Sequence, residues 1–207
     1  MGLSCLIDPT APVVIDASTV INLNATACGP RILKAIPNLF IVTDVVQREL
    51  LEDRRNGRND GRLVAELVAS GLISVAKLDD LTESHFEDLV IGRGEATLDD
   101  GEAATIAYGV EKGAIALIDE RKATRMCGER YPRLVVGNSL DVLAHSAVLT
   151  ALGDGGAADA IFNALRSARM RVPPSALQWV VNLIGPERAA ICECLPRAFR
   201  TKAISAS

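Results

Sequence analysis

Five short runs of branched apolar residues recur along the chain: Pro12 to Ala17, Leu39 to Thr43, Leu72 to Lys77, Ala114 to Ile118 and Leu134 to Val136. Runs this brief and this rich in Val, Ile and Leu predict β-strands. Between them, "DVVQRELLED" (44–53), "GRLVAELVAS" (61–70), "DDGEAATIAYGVEKG" (99–113) and "DERKATRMCGERY" (119–131) repeat apolar positions at helical spacing, several from an acidic start. Gly71 and Gly113 stand where such helices would stop. Strand and helix thus alternate, as in an α/β domain with a largely parallel sheet. Beyond Asn138 the pattern is helical only: 140–152, 157–168, 175–184 behind Pro173 and Pro174, and a short helix near 187–194. "GDGG" (153–156) predicts a loop and "RTKAISAS" (200–207) a frayed tail. No internal repeat or low-complexity tract interrupts the series.

At 207 residues, 49% hydrophobic and 23% charged, the chain suits one sizeable globular domain, or one domain with a terminal extension, and the composition argues against disorder. Aromatics make up 3%, so there is little ring surface for stacking single-stranded bases. The net charge of −4 argues against a broad nucleic-acid sleeve but leaves room for local basic patches. Cys5, Cys28, Cys127, Cys192 and Cys194 are odd in number and lack CxxC spacing, which predicts reduced thiols and a cytoplasmic address. No apolar run reaches the ~18 residues of a transmembrane helix, so no membrane is expected.

In a parallel sheet, the C-terminal strand ends and the starts of the following helices share one edge, where ligands bind. Asp16 ends the first predicted strand, and Asp119 and Glu120 follow the fourth. Glu49 lies one to two turns into the helix after the second strand, and Glu102 in the first turn of the helix leading into the fourth. Carboxylates gathered there would raise one another's pKa unless a cation sat among them. Oxygen clusters of this kind suit hard ions such as Mg²⁺ or Mn²⁺. Ser18 and the backbone N–H groups that follow would support Asp16.

Four blocks, "VVIDASTVINL" (13–23), "TDVVQRELL" (43–51), "LDDGEAATIAYGVEKGA" (98–114) and "ALIDERKATRMC" (116–127), resemble in order and spacing those of PIN-domain nucleases. "LVVGNSLDVL" and "ALRSARMRVPPSALQWVV" are similar to the prokaryotic branch with a GE-x-x-A-I helix and an L-x-D-D-x-x-A-R strand end. The resemblance covers about residues 12 to 185, leaving 186–207 as a short C-terminal helical extension and tail. It implies a three-layer α/β/α fold with a mostly parallel central sheet and a helical C-terminal part. Asp16, Glu49 and Glu102 would be the metal-binding acids. The fourth is Asp119 by its place after "ALI", or Glu120 by counting from Gly113. The activity implied is Mg²⁺- or Mn²⁺-dependent hydrolysis of RNA. The resemblance further implies the toxin half of a toxin-antitoxin pair, an antitoxin protein as partner, and a homodimer.

Each acid has a second reading. Asp16 could cap the helix it precedes. Glu49 could be a solvated residue near a helix start. Glu102 falls at N3 of a capping box opened by Asp99, and Asp119 or Glu120 could cap the helix of "RKATRMC". Arg48, Arg54, Arg55, Arg58 and Arg62 could hold RNA phosphates or be solvated. His85 and His145 have no partners at zinc spacing. In "DAST" the second acid of a haloacid-dehalogenase-like phosphatase is replaced by Ser18. The alternative function is a PIN-like scaffold that binds RNA or protein without turnover.

Overall fold

A computed structural model describes residues 5–52, 59–91 and 97–201. Its elements run β1 (Val13–Ile15), α1 (Ala17–Ala25), α2 (Gly29–Ala35), β2 (Phe40–Thr43), α3 (Asp44–Glu52), α4 (Asp60–Ala69), β3 (Ile73–Ala76), α5 (Asp80–Val90), α6 (Asp100–Lys112), β4 (Ile115–Leu117), α7 (Arg121–Arg130) and β5 (Val136–Gly137). Then follow α8 (Ser139–Leu143), α9 (Ser146–Asn163), a π-helical turn (Ala164–Ala168), a 3₁₀ turn (Pro174–Ala176), α10 (Leu177–Ile184), α11 (Pro186–Ala190) and α12 (Arg197–Thr201). The chain divides into two compact units: Cys5–Val20 with Pro37–Asn138, and Ile21–Ile36 with Ser139–Ser207 and Met1–Ser4.

The first unit is built on a five-stranded, all-parallel sheet of order β3-β2-β1-β4-β5, the PIN-like α/β/α arrangement. Val13 pairs with Phe40 on one side and Ile115 on the other, and Ile15 pairs with Leu117. Every residue of β1, β2 and β4 is buried, which is why these strands read as unbroken apolar runs. β3 is one of the two edge strands, with Ser74 and Val75 exposed. Helix α6 packs against β1, β2 and β4. Its buried residues are mostly small, among them Ala103, Ala104 and Ala107, so its backbone approaches the strands closely. It closes on Gly113 at φ 64°, ψ 28°, the left-handed conformation that glycine adopts without strain.

The second unit is helical. α9 packs on α2, α8 and α10, and the buried Asn22 amide donates to the Ser139 hydroxyl at 3.0 Å. Two expectations need correction here. The break expected at "GDGG" is there but narrower: Gly153, at φ 70° and ψ 166°, separates two helical stretches of α9, and 154–156 are helical rather than loop. The helix expected over 140–152 is likewise divided, because His145 is extended and its ring caps α9 by accepting from the Ala147 N–H. Of the tail, Arg200 and Thr201 belong to α12, and 202–207 lie outside the described residues. No helix among the described residues is long and apolar enough to cross a membrane.

Candidate functional site

β1 and β4 are adjacent, and their connections leave to opposite sides of the sheet, so the crevice at their C-terminal ends is the switch point of this topology. Asp16 follows β1 there, with its N–H donating to the Leu117 carbonyl at 3.2 Å. The chain then turns into α1. Asp16 Oδ1 accepts from the Thr19 N–H at 2.7 Å, and Oδ2 accepts from the Ser18 hydroxyl at 2.7 Å. Asp16 is therefore a helix cap, as its second reading held, but an unusual one. A capping aspartate normally faces water, whereas this one is 2% exposed. Burial first, and the charge of Asp119 second, push its carboxyl up to about 6, against the lowering effect of the Thr19 and Ser18 bonds.

Asp119 is also buried. It follows Ile118, whose N–H closes the ladder onto the Gly137 carbonyl at 2.9 Å. Glu120 is exposed, and its carboxylate caps α7 by accepting from the Lys122 N–H and, at 3.2 Å, the Ala123 N–H. The two candidates for one position thus have different work. Asp119 faces the buried edge electrostatically, and Glu120 satisfies orphan donors of a helix start.

Glu102 lies at N3 of α6. Its carboxyl is pushed up to about 7 by burial, then by the charges of Asp99, Asp16 and Glu120, while a bond from the Asp99 backbone N–H opposes the rise. That bond is one half of a capping box, and the Asp99 side chain supplies no other half. One back-bond leaves a carboxylate further acceptor capacity. Glu49, on α3, reaches the same helix start: its carboxylate occupies the space a Cβ at position 101 would need, so Gly101 is what admits it. Beside Glu49 opens a cleft of about 1030 Å³ whose lining includes Asp44, Glu52, Glu83, Glu87 and Asp99, with Arg48 the one cation among the described residues.

Among the described residues, no three His, Cys, Asp or Glu side chains stand close enough together to hold a metal ion as placed. The donor chemistry still fits a hard divalent ion. Asp16, Asp119 and Glu102 are oxygen donors drawn from neighbouring strand ends and a helix start, and Asp16 is raised by Asp119 while Glu102 is raised by Asp16. Arg62 is exposed and paired with Glu66 at 2.6 Å, and Arg54, Arg55 and Arg58 lie outside the described residues. Sequence reasoning missed Asp44, which follows β2, lines the cleft and has a buried Oδ1 without a hydrogen-bond partner. It also missed Thr19 and Gly101. A Thr three residues after a strand-end Asp is the pattern that signals the first; nothing local signals the second, because its partner is remote.

Residues 12–186 match the family model described as a PIN domain. Neither the curated proteins nor the solved structures contain a match.

Proposed function

The chain belongs to the PIN-domain family, and on that premise we propose that it is an Mg²⁺- or Mn²⁺-dependent endoribonuclease that hydrolyses RNA phosphodiester bonds. PIN domains are generally nucleases and typically use divalent metals. The observation that carries the reading is the buried Asp16, raised to about 6 by burial and by Asp119 at the adjoining strand end. A fold tolerates two acids so placed when a cation offsets their repulsion.

Asp16, Asp119 and Glu102 would hold the ion, with Glu49 reaching them from α3. When bound, the ion supplies charge neutralisation and activation of water. The chain's own part is to hold these acids ready: the Ser18 hydroxyl and Thr19 N–H fix the Asp16 rotamer, and Gly101 admits Glu49. Glu102, at about 7, is part-protonated at neutral pH and is able to exchange a proton with solvent there. No side chain has to attack the phosphorus. The family resemblance supports two finer points of the reading, a toxin neutralised by a protein antitoxin and a homodimer. Five free thiols support a reducing, cytoplasmic setting.

The test is cleavage of a generic RNA by purified protein in Mn²⁺ or Mg²⁺, quenched by EDTA, with Glu102→Gln alongside. Gln keeps the acceptor for the Asp99 N–H but not the charge, so the variant should fold as the wild type and fail to cleave. No cleavage from the wild type would leave the scaffold alternative in its place, and metal-independent cleavage would remove the metal from the reading.

A further inference from the structure

Residues 166–200 hold six arginines against two acids, Glu187 and Glu193, in a chain whose net charge is −4. Arg188 is already paired with Asp159 at 2.7 Å and lies over the Phe162 ring. Three of the others are gathered by the fold around one turn. The π-helical turn Ala164–Ala168 is tied to the segment after α11 at two points. The Cys194 thiol donates to the Leu165 carbonyl at 3.3 Å, and Arg166 donates through Nη1 to the Ile191 carbonyl at 3.3 Å. Arg169 closes the π-turn, and Arg200 rides on α12 just beyond. Burial raises the Cys194 thiol, and the charges of both Arg169 and Arg200 act against that rise. Arg166 acts in the same way on Cys192.

Two independent features point to a ligand. Arg169 holds φ 58°, ψ 36°, with its N–H on the Ala164 carbonyl, at a helix-end position where glycine is the unstrained choice. A bulky cation kept at such a position marks a candidate functional site. The Arg200 Nε is buried without a hydrogen-bond partner. A buried guanidinium N–H with no acceptor is costly, and an oxyanion is the acceptor that guanidinium geometry matches best.

We propose that Arg166, Arg169 and Arg200 form a phosphate-binding site for the RNA backbone, with Arg200 supplied by α12. The proposal rests on the reading of the chain as an enzyme acting on RNA. Acids able to hold a metal repel RNA, and among the described residues Arg48 is the one cation lining the cleft beside Glu49, so cations away from that cleft would add to the backbone affinity. With aromatics at 3% of the chain, these contacts are to phosphate and carry no sequence preference. Arg200 lies outside the matched span of 12–186, so the site is a property of this chain rather than of the family match.

The experiment is fluorescence anisotropy of a short labelled single-stranded RNA with the full chain in EDTA, which separates binding from turnover, over a KCl series. Each phosphate contact contributes about 0.7 to the salt slope on single strands, or about fivefold in affinity near 0.1 M salt. Arg169→Gly relieves the left-handed backbone, so it should melt no lower than the wild type and yet bind about fivefold more weakly. Arg169→Gly with Arg200→Gln should bind about 25-fold more weakly with a slope lower by about 1.4. Arg200→Lys should recover part of the loss, and Arg188→Gln should bind as the wild type. Wild-type affinity and slope in Arg169→Gly and in the double variant would overturn the proposal. So would displacement of RNA by inorganic phosphate at matched phosphate concentration, which would assign the arginines to a small anion. Arginine-dependent binding without Mn²⁺ cleavage would keep this site and end the nuclease reading; cleavage with an arginine-independent slope would do the reverse.

Discussion

Replacing Asp16 by Asn should stabilise the metal-free protein at alkaline pH and leave it nearly unchanged at acid pH. The carboxyl is buried and pushed from 3.8 to about 6, chiefly by burial and next by the Asp119 charge. A shift of about two units corresponds to about 3 kcal/mol between the protonation states. Because the folded pKa lies above the unfolded one, the folded chain holds the proton more tightly. Stability from this group is therefore fully present below 3.8 and lost as pH rises through about 6. Above neutrality the wild type carries the whole cost, up to about 3 kcal/mol, and near pH 4 about 0.5 kcal/mol remains. Asn removes the charge and keeps the wiring. Its Oδ1 still accepts from the Thr19 N–H, and its amide donates to the Ser18 hydroxyl, which changes from donor to acceptor.

In a protein of this size 1 kcal/mol moves the Tm by about 2–4 °C. Thermal scans in EDTA should therefore find the variant melting about 6–12 °C above the wild type near pH 8, and within about 2 °C of it near pH 4. Mn²⁺ at about 1,000 times its Kd should reverse the order, since it adds about 4.1 kcal/mol to the native state that binds it. A difference of either sign that does not change with pH would refute the reasoning. Asp16 would then act as a helix cap and nothing more.

Three further outcomes follow from the same geometry. Asp119→Asn should abolish Mn²⁺-dependent cleavage without lowering the Tm, whereas Glu120→Ala should cost about 1 kcal/mol of stability as a lost cap and only weaken cleavage; the opposite pattern in paired melts and cleavage assays would make Glu120 the fourth acid. Gly101→Ala should displace the Glu49 carboxylate, lowering metal affinity or activity about 10- to 100-fold in a Mn²⁺ titration while leaving the fold intact; unchanged activity would remove Glu49 from the site. Mn²⁺ affinity by calorimetry should fall as pH drops through 7 and then 6, because Glu102 (about 7) and Asp16 (about 6) must lose their protons to bind; affinity flat over that range would show that neither is a ligand.

The parts of the fold visible in the sequence are those where one physical demand dominates. β1, β2 and β4 are buried throughout, so apolar residues fill them except Thr43 at the end of β2, and the expected bounds fall within one or two positions of each. α5 was not visible: its fully buried positions are only Thr82 and Leu89, too few to write an apolar stripe. α1 begins in a β-branched run and carries Asn22 and Asn24, residues that favour caps and turns over helix interiors. α2, entered through Pro30, is seven residues long and too short for periodicity to declare itself. At the site, strand ends gave Asp16 and Asp119, because a change from apolar to acidic is a local signal. The contact between Glu49 and Gly101 joins residues far apart in the chain, and no local pattern encodes it. Glu120 shows the limit of counting: one residue decides between a buried edge and an exposed cap, and only backbone geometry distinguishes them.

Net charge decides little for a related reason, since it averages over parts of different composition. The sheet unit, Cys5–Val20 with Pro37–Asn138, holds 21 acidic and 13 basic residues, and the helical unit holds 5 and 9. The overall −4 is thus −8 in one unit and +4 in the other. Such a split follows from the chemistry proposed. Acids that bind a cation are disfavoured as phosphate receptors, and arginines set among them would form ion pairs with the carboxylates and compete for the metal's place. Placing the arginines around Cys194, on a unit with few acids, leaves their donors available to phosphate. On this proposal Asp16 and Glu102 keep pKa values raised chiefly by burial, which a guanidinium set beside them would lower.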